Sequence, residues 1–183
     1  MEEKIEFKTI WHESGVSALV LAAVCVGYFL LSNAVSGTSK IWLLILVFLL
    51  EIAKIVFCIV YVKRCMKGFK AAHPSAQRRD VYRLGMMVGL ISGLIIAAAS
   101  MAYYQFNPQV ISDTFNTMLS SMPQGLDRNA LNMIESMEQA FPRLAFFSQF
   151  IYCAIWAFVL PAFIAPSVVS DNPFDNDDDD DEE

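Results

Sequence analysis

The chain has little charge and none of the residue patterns that mark common enzyme families. Charged residues make up 17% of the sequence, against about 25% in an average soluble domain. Glycine-rich phosphate loops, His-Glu-x-x-His motifs and Gly-x-Ser-x-Gly motifs are all absent from it. The two histidines, His12 and His73, lie far apart in the sequence. We therefore predict a protein that is not an enzyme and that has no metal site and no cofactor.

Cysteine is also scarce, and its spacing is not that of a disulfide framework. The four cysteines are Cys25, Cys58, Cys65 and Cys153, and each lies inside or beside an apolar segment. None forms a Cys-x-x-Cys pair, so neither a disulfide framework nor a zinc site is expected. Free cysteine behaves as a small, easily buried residue, and we interpret all four in that way.

Apolar residues are abundant, at 56% of the chain, and they are concentrated in four long segments. Each segment is about long enough to cross the ~30 Å hydrocarbon core of a bilayer as a helix. The predicted membrane-spanning helices are residues 16–34, 41–62, 84–106 and 144–169. Pro161 and Pro166 are expected to break the last of them. The predicted fold class is all-α, a membrane four-helix bundle in a single domain.

The positions of the basic residues predict the orientation in the membrane. The connection 63–83 contains seven Lys and Arg against one Asp, whereas the connection 107–143 contains two Arg against four acids. Because Lys and Arg are enriched in cytoplasmic loops, we predict that 63–83 lies in the cytoplasm and 107–143 outside. With four spans, the segment 1–15 and the C-terminus are both expected to be cytoplasmic.

Two polar regions flank the last span. In 107–143, apolar residues recur at helical spacing on both sides of Pro123 and Gly125, which predicts a hairpin of two amphipathic helices. The hairpin is expected either to cap the bundle or to lie in the headgroup layer. The segment 170–183 contains nine acids and is predicted to be disordered. Neither the net charge of −6 nor the distribution of charge suggests nucleic-acid binding.

One ionisable pair lies in the middle of the second span. Glu51 and Lys54 are three residues apart and therefore share a helix face, and Cys58 continues the same stripe one turn further on. An ionisable group in hydrocarbon costs several kcal/mol unless it is paired or hydrated. The pair is either part of an ion or proton pathway or a neutralised contact that fixes the packing of the helix, and we favour the second.

Matching the depths of the spans predicts the neighbours of this pair. Tyr28 of the first span and Trp156 of the fourth both fall near the middle of the bilayer. We expect one of them to lie within hydrogen-bonding reach of Glu51, and a Glu51 that faces lipid would contradict this.

The third span has a stripe of small residues. Gly85, Gly89, Gly93 and Ala97 recur at steps of four, a pattern that allows another helix to approach closely. The partner is either another helix of the same chain or a second copy, and packing within the chain is slightly favoured.

The segment from Tyr82 to Pro166 resembles a known family. The sequence Tyr-Arg-Leu-Gly-Met-Met-Val-Gly-Leu-Ile-Ser-Gly-Leu-Ile from Tyr82, then Tyr-Tyr-Gln-Phe-Asn-Pro up to Pro108, is similar to the domain-of-unknown-function family numbered 4199. The resemblance implies a four-helix protein of the bacterial inner membrane, as found mostly in Bacteroidota. It implies no catalytic residues.

Together these features favour a non-enzymatic accessory or scaffold protein whose partners are the bilayer and either another membrane protein or further copies of itself. The alternative is a small oligomeric transporter or channel subunit in which Glu51 titrates. A weaker alternative is an envelope sensor that reports from the outer hairpin to 63–83.

Overall fold

The chain is all-α, as predicted, in a computed structural model that describes residues 7–36, 41–120 and 128–169. These ranges contain five helices and no strand. The helices are α1 (Phe7–Ser36), α2 (Ile41–Ala72), α3 (Arg78–Phe106), α4 (Pro108–Ser120) and α5 (Arg128–Val169). Four of them, α1, α2, α3 and α5, are long and apolar enough to cross a membrane.

The helices extend beyond the apolar segments from which they were predicted. α1 begins at Phe7 rather than near residue 16, and α2 continues past Val62 to Ala72. The backbone hydrogen bonds of a helix do not require apolar side chains, so a helix continues into polar sequence until a proline or a turn ends it. Pro74, two residues after α2, is the corresponding stop signal at that end.

The expected break in the fourth span is wrong. α5 is one continuous helix that includes the second arm of the predicted hairpin, and Pro142, Pro161 and Pro166 all lie inside it. A proline removes only its own backbone donor, and neighbouring helices can accommodate its ring. Pro161 is fully buried and packs against Gly85, where an added Cβ would lie 2.9 Å from the proline Cβ.

α4 packs against the first part of α5. Ser112 Oγ donates a hydrogen bond to Glu138 Oε1 at 2.6 Å, and the rings of Phe115 and Phe141 meet edge to face with centroids 5.9 Å apart. Phe141 also contacts Tyr104 of α3. The predicted hairpin therefore has both arms in contact, with its turn outside the described residues, as is the segment 170–183.

The small-residue stripe of α3 packs on α5 of the same chain. A Cβ added at Gly89 would lie 2.6 Å from the Cβ of Ala157, and one added at Gly93 would lie 2.6 Å from the Cβ of Cys153. Gly85, Gly89 and Gly93 thus contact Pro161, Ala157 and Cys153 in that order. The residue number falls on α5 as it rises on α3, so the two helices are antiparallel. Ala97 continues the stripe and is fully buried.

The buried core lies toward one end of the bundle, called here the basic end because the connection 63–83 is there. The buried apolar side chains that form it include Ile10, Val62, Met66, Phe69, Val81, Leu84, Val88 and Ile164. Polar contacts outside the core hold the connection in place. His73 Nε2 lies 3.0 Å from Glu13 Oε1, and Lys70 Nζ donates to the carbonyl oxygens of Pro74 and Ala76 at 2.8 and 2.9 Å.

The opposite end, called here the distal end, is packed differently. In α1, no residue between Ala23 and Val35 is buried, and in α2 none of the described side chains before Val62 is buried. Of α1, α2 and α3, only α3 has buried residues along most of its length, from Val81 to Ser100. The helices therefore make a solid core at the basic end, and α1 and α2 pack less closely toward the distal end.

Candidate functional site

A cavity of about 420 Å³ lies between α1, α2, α3 and α5, on the distal side of the core. Leu21, Val62, Leu160 and Pro161 form its apolar wall toward the basic end. Its polar and sulfur-containing lining consists of Cys25, Tyr28, Ser32, Asn33, Glu51, Lys54, Cys58, Ser92, Gln149, Tyr152, Cys153 and Trp156. Tyr28, Trp156 and the α2 residues Glu51, Lys54 and Cys58, predicted to form a polar cluster, all line it.

Glu51 and Lys54 form an ion pair in this cavity. Lys54 Nζ donates to Glu51 Oε1 at 2.5 Å, with 25% of the Lys54 side chain and 42% of the Glu51 side chain exposed. The same ammonium group lies 4.4 Å from the centroid of the Tyr28 ring, a distance at which a cation is attracted to the face of an aromatic ring. Lys54 is therefore held by a carboxylate on its own helix and by a ring on α1.

The two predicted neighbours of Glu51 have different roles. The Tyr28 hydroxyl donates to the Val47 carbonyl oxygen at 3.3 Å, and it also lies within reach of the Glu51 carboxylate. Of these two acceptors, the carboxylate is the stronger. Trp156 lines the same cavity but meets the ring of Tyr152, with centroids 6.4 Å apart.

Three cysteines from three helices line the cavity beside the ion pair. The sulfur atoms of Cys25 and Cys58 lie 3.8 Å apart, and Cys153 accepts a hydrogen bond from Gln149 Nε2 at 3.5 Å.

Only Cys58 of these three was predicted to belong to the cluster. Cys25 and Cys153 were interpreted as packing residues, although each lies three residues before a predicted mid-depth aromatic residue, Tyr28 and Trp156 respectively. A spacing of three places two residues on one helix face. That spacing was the available signal for both cysteines.

The glycine stripe positions one wall of the cavity. Because Gly89 and Gly93 lack side chains, α5 approaches α3 closely at Ala157 and Cys153. This contact fixes the face of α5 that carries Cys153 and Trp156, and so brings both side chains to the cavity. The stripe predicted to serve packing thus also determines the shape of the site.

The cavity combines groups that can exchange protons with groups that can bind a solute. Glu51, Tyr28 and Lys54 come from two helices, and their charges balance because one carboxylate faces one ammonium group. A pocket that gathers titratable side chains from different helices is also a feature of enzyme active sites, and this cavity has that feature. In the described part of the chain, no group of three or more His, Cys, Asp or Glu residues is arranged to hold a metal ion.

Comparisons with family models, with curated protein sequences and with solved structures find no match to this chain. The resemblance of Tyr82–Pro166 to the family numbered 4199 therefore stays a prediction.

Proposed function

We propose that this chain is a multi-pass protein of the bacterial inner membrane that binds a small polar solute or ion in the cavity and moves it across the bilayer. In this proposal Glu51 is the titrating group, Lys54 is its counter-charge, and the role is not enzymatic. The observation that carries the proposal is the position of a charged pair in a cavity that four helices share. Ionisable residues in spans face the bundle interior or a water-filled cavity in most proteins and are functional-site candidates by default.

The uneven packing of the bundle supports the same proposal. Residues of the core close the basic end of the cavity, with Val81 and Met66 fully buried, whereas the polar lining continues toward Ser32 and Asn33 near the distal end of α1. A carrier has a site that is closed on one side while it is open on the other. With 63–83 and both termini assigned to the cytoplasm on the basis of charge, the open side is the outer one.

Flux through liposomes tests the proposal. The full chain is reconstituted in vesicles that contain a pH-sensitive dye, and an imposed potential drives protons inward. We expect protein-dependent proton flux that Glu51→Gln abolishes and that the matched variant Glu13→Gln, outside the cavity, leaves unchanged. Equal flux in the two variants, or flux no greater than in empty vesicles, contradicts a role for Glu51 in transport.

Thiol labelling tests the direction of opening. In a background without the native cysteines, an impermeant maleimide should react with Asn33→Cys only from the outer side, and should react with Val62→Cys from neither side. Labelling of Asn33→Cys from the cytoplasmic side would contradict the proposed orientation.

A second candidate is the accessory or scaffold role, in which the chain binds another membrane protein or further copies of itself. The observation that favours it is the exposure of α2, where Trp42, Phe48 and Leu49 are 86%, 66% and 57% exposed. In-membrane crosslinking followed by mass spectrometry tests it. A stoichiometric partner attached through α2 would favour this role, and recovery of the chain without a crosslinked product would contradict it.

A further inference from the structure

The seam between α1 and α2 is sparse, and the pair Cys25 and Cys58 lies in its middle. On the basic side of the pair, the Tyr61 hydroxyl donates to the Ser17 carbonyl oxygen at 3.2 Å. On its distal side, the Tyr28 hydroxyl donates to the Val47 carbonyl oxygen at 3.3 Å. Between these two long hydrogen bonds, the helices meet through two sulfur atoms 3.8 Å apart.

A small movement would bring the two sulfur atoms into bonding distance. A disulfide requires a separation of about 2.05 Å between sulfur atoms, so these two atoms must move closer by roughly 1.8 Å. The apolar stretch of α2 is not buried in the bundle, which leaves this helix free to make that approach. Both sulfur atoms also line the cavity, so a small reagent that enters it can reach them.

The surroundings of the pair favour one class of oxidant. The cavity lies within helices that are long and apolar enough to span a membrane, so a lipid-soluble reagent can reach it from the bilayer. The lining offers hydrogen-bond donors to carbonyl oxygens, namely the Lys54 ammonium group, the Tyr28 hydroxyl and the Gln149 amide, and a flat aromatic wall at Trp156. A volume of about 420 Å³ is within the usual range for a small-molecule site.

We propose that Cys25 and Cys58 are a redox-active pair, which a lipid-soluble quinone entering the cavity oxidises to a disulfide that joins α1 to α2. The two S–H bonds break and one S–S bond forms between the cysteines. The two electrons and the two protons pass to the quinone, which leaves as the hydroquinone. This inference goes beyond the proposed function and does not rest on transport.

The link would fix the shape of the cavity. Cys58 lies one helical turn from Lys54 on α2, and Cys25 lies three residues from Tyr28 on α1. A covalent bond between the cysteines therefore fixes the position of the Lys54 ammonium group relative to the Tyr28 ring. In the reduced protein the two helices can separate at this level.

The test uses the full chain, reduced and held in lipid nanodiscs, with duroquinone as the probe. After quenching with N-ethylmaleimide, peptide mass spectrometry should find Cys25 linked to Cys58, with both free thiols lost and one hydroquinone formed per chain. Cys65, on α2 at the basic end, should remain open to alkylation. A reductant added after oxidation should restore both thiols.

Variants and a second oxidant make the test specific. Cys58→Ser should abolish the link and leave Cys25 open to alkylation, whereas Cys153→Ser, in the same cavity, should retain the link. The water-soluble oxidant diamide serves as the comparison. The proposal is overturned if duroquinone forms no Cys25–Cys58 link, if only diamide forms it, or if Cys153 replaces either cysteine in the linked peptide. The wild-type measurement decides the matter even where a variant does not fold.

Discussion

At the basic end, four helices meet through fully buried apolar side chains. Toward the distal end, the side chains of α1 and α2 are no longer buried, and a charged pair lies between the helices. Met66 of α2 has no exposed surface, but Leu49, earlier on the same helix, is 57% exposed. Charged and bulky side chains at Glu51, Lys54 and Trp156 project into the space between the helices, so the helices cannot close there without burying charge. The comparison shows that the packed core, which stabilises the bundle, lies at the basic end, and that the cavity, which is the candidate binding site, lies on its distal side.

Within the membrane, the seam between α3 and α5 is the part of the bundle that continues across both regions. Its glycines allow backbone contact at Ala157 and Cys153, where packing rather than the hydrophobic effect drives association of helices. α2 is attached to this seam mainly at the basic end, whereas α1 also meets α3 at the distal end, where the Phe29 and Tyr103 rings lie edge to face with centroids 5.5 Å apart. We therefore expect mutations to affect stability according to the end at which they lie.

Mutations at the two ends of α2 are expected to differ most in their effect on the free energy of unfolding. Met66→Ala should lower the free energy of unfolding by about 2–5 kcal/mol, because it leaves a cavity in a closely packed core. The matched variant Leu49→Ala should change it by less than about 0.5 kcal/mol, since an exposed side chain leaves no cavity. Unfolding in SDS, followed by circular dichroism, measures both. Equal losses would mean that the distal end is covered by another chain.

A smaller loss in the free energy of unfolding is expected when a methyl group is added at a glycine between α3 and α5. Gly89→Ala should cost about 1–3 kcal/mol, because the new Cβ would lie 2.6 Å from the Ala157 Cβ and the two helices must move apart. Gly27→Ala meets nothing within 4 Å and should stabilise α1 by up to about 1 kcal/mol through helix propensity. The same SDS titration measures both, and a neutral Gly89→Ala would contradict the close packing of α3 on α5.

Removing the charge in the cavity should have a still smaller effect on stability. Glu51→Gln should cost no more than about 1 kcal/mol, because the pair lines the cavity that the proposed function opens to water, and water screens the pair there. The double variant with Lys54→Met should recover part of that loss, since it removes the unpaired ammonium group. A double-mutant cycle in SDS unfolding measures the coupling. A cost comparable to that of Met66→Ala would make the pair a principal determinant of stability.

The smallest expected effect is at the contact that links α1 to the connection between α2 and α3. Glu13→Gln should change the free energy of unfolding by less than about 0.5 kcal/mol, as is usual for partly exposed pairs. The His73 side chain retains a neutral hydrogen-bond acceptor in this variant. A loss above about 1 kcal/mol would show that this contact, rather than the apolar core, holds the basic end together.

Several features were predictable because they depend on residues close together in the sequence. The four apolar segments are each about the length of a span, and the spacing of Glu51 and Lys54 places them on one face whatever surrounds them. The two arms around Pro123 and Gly125 follow from helical periodicity. The continuity of α5 was not predicted, because whether a helix passes through Pro161 depends on the side chains that face its ring.

The contacts between distant segments were decided by the tertiary structure. From the sequence, the stripe Gly85, Gly89 and Gly93 can serve a second copy or another helix of the same chain, with the second slightly favoured, and only the tertiary structure identifies α5 as the helix it meets. The meeting of Cys25 with Cys58 likewise depends on the rotation of two helices about their axes.

The amino-acid sequence by itself determined the four apolar spans and the charged pair Glu51 and Lys54 in the second of them, since hydropathy and periodicity are local properties. Only the tertiary structure decided which helix meets the glycine stripe, where the core closes and where the cavity opens. These depend on the shapes of side chains that are far apart in the sequence.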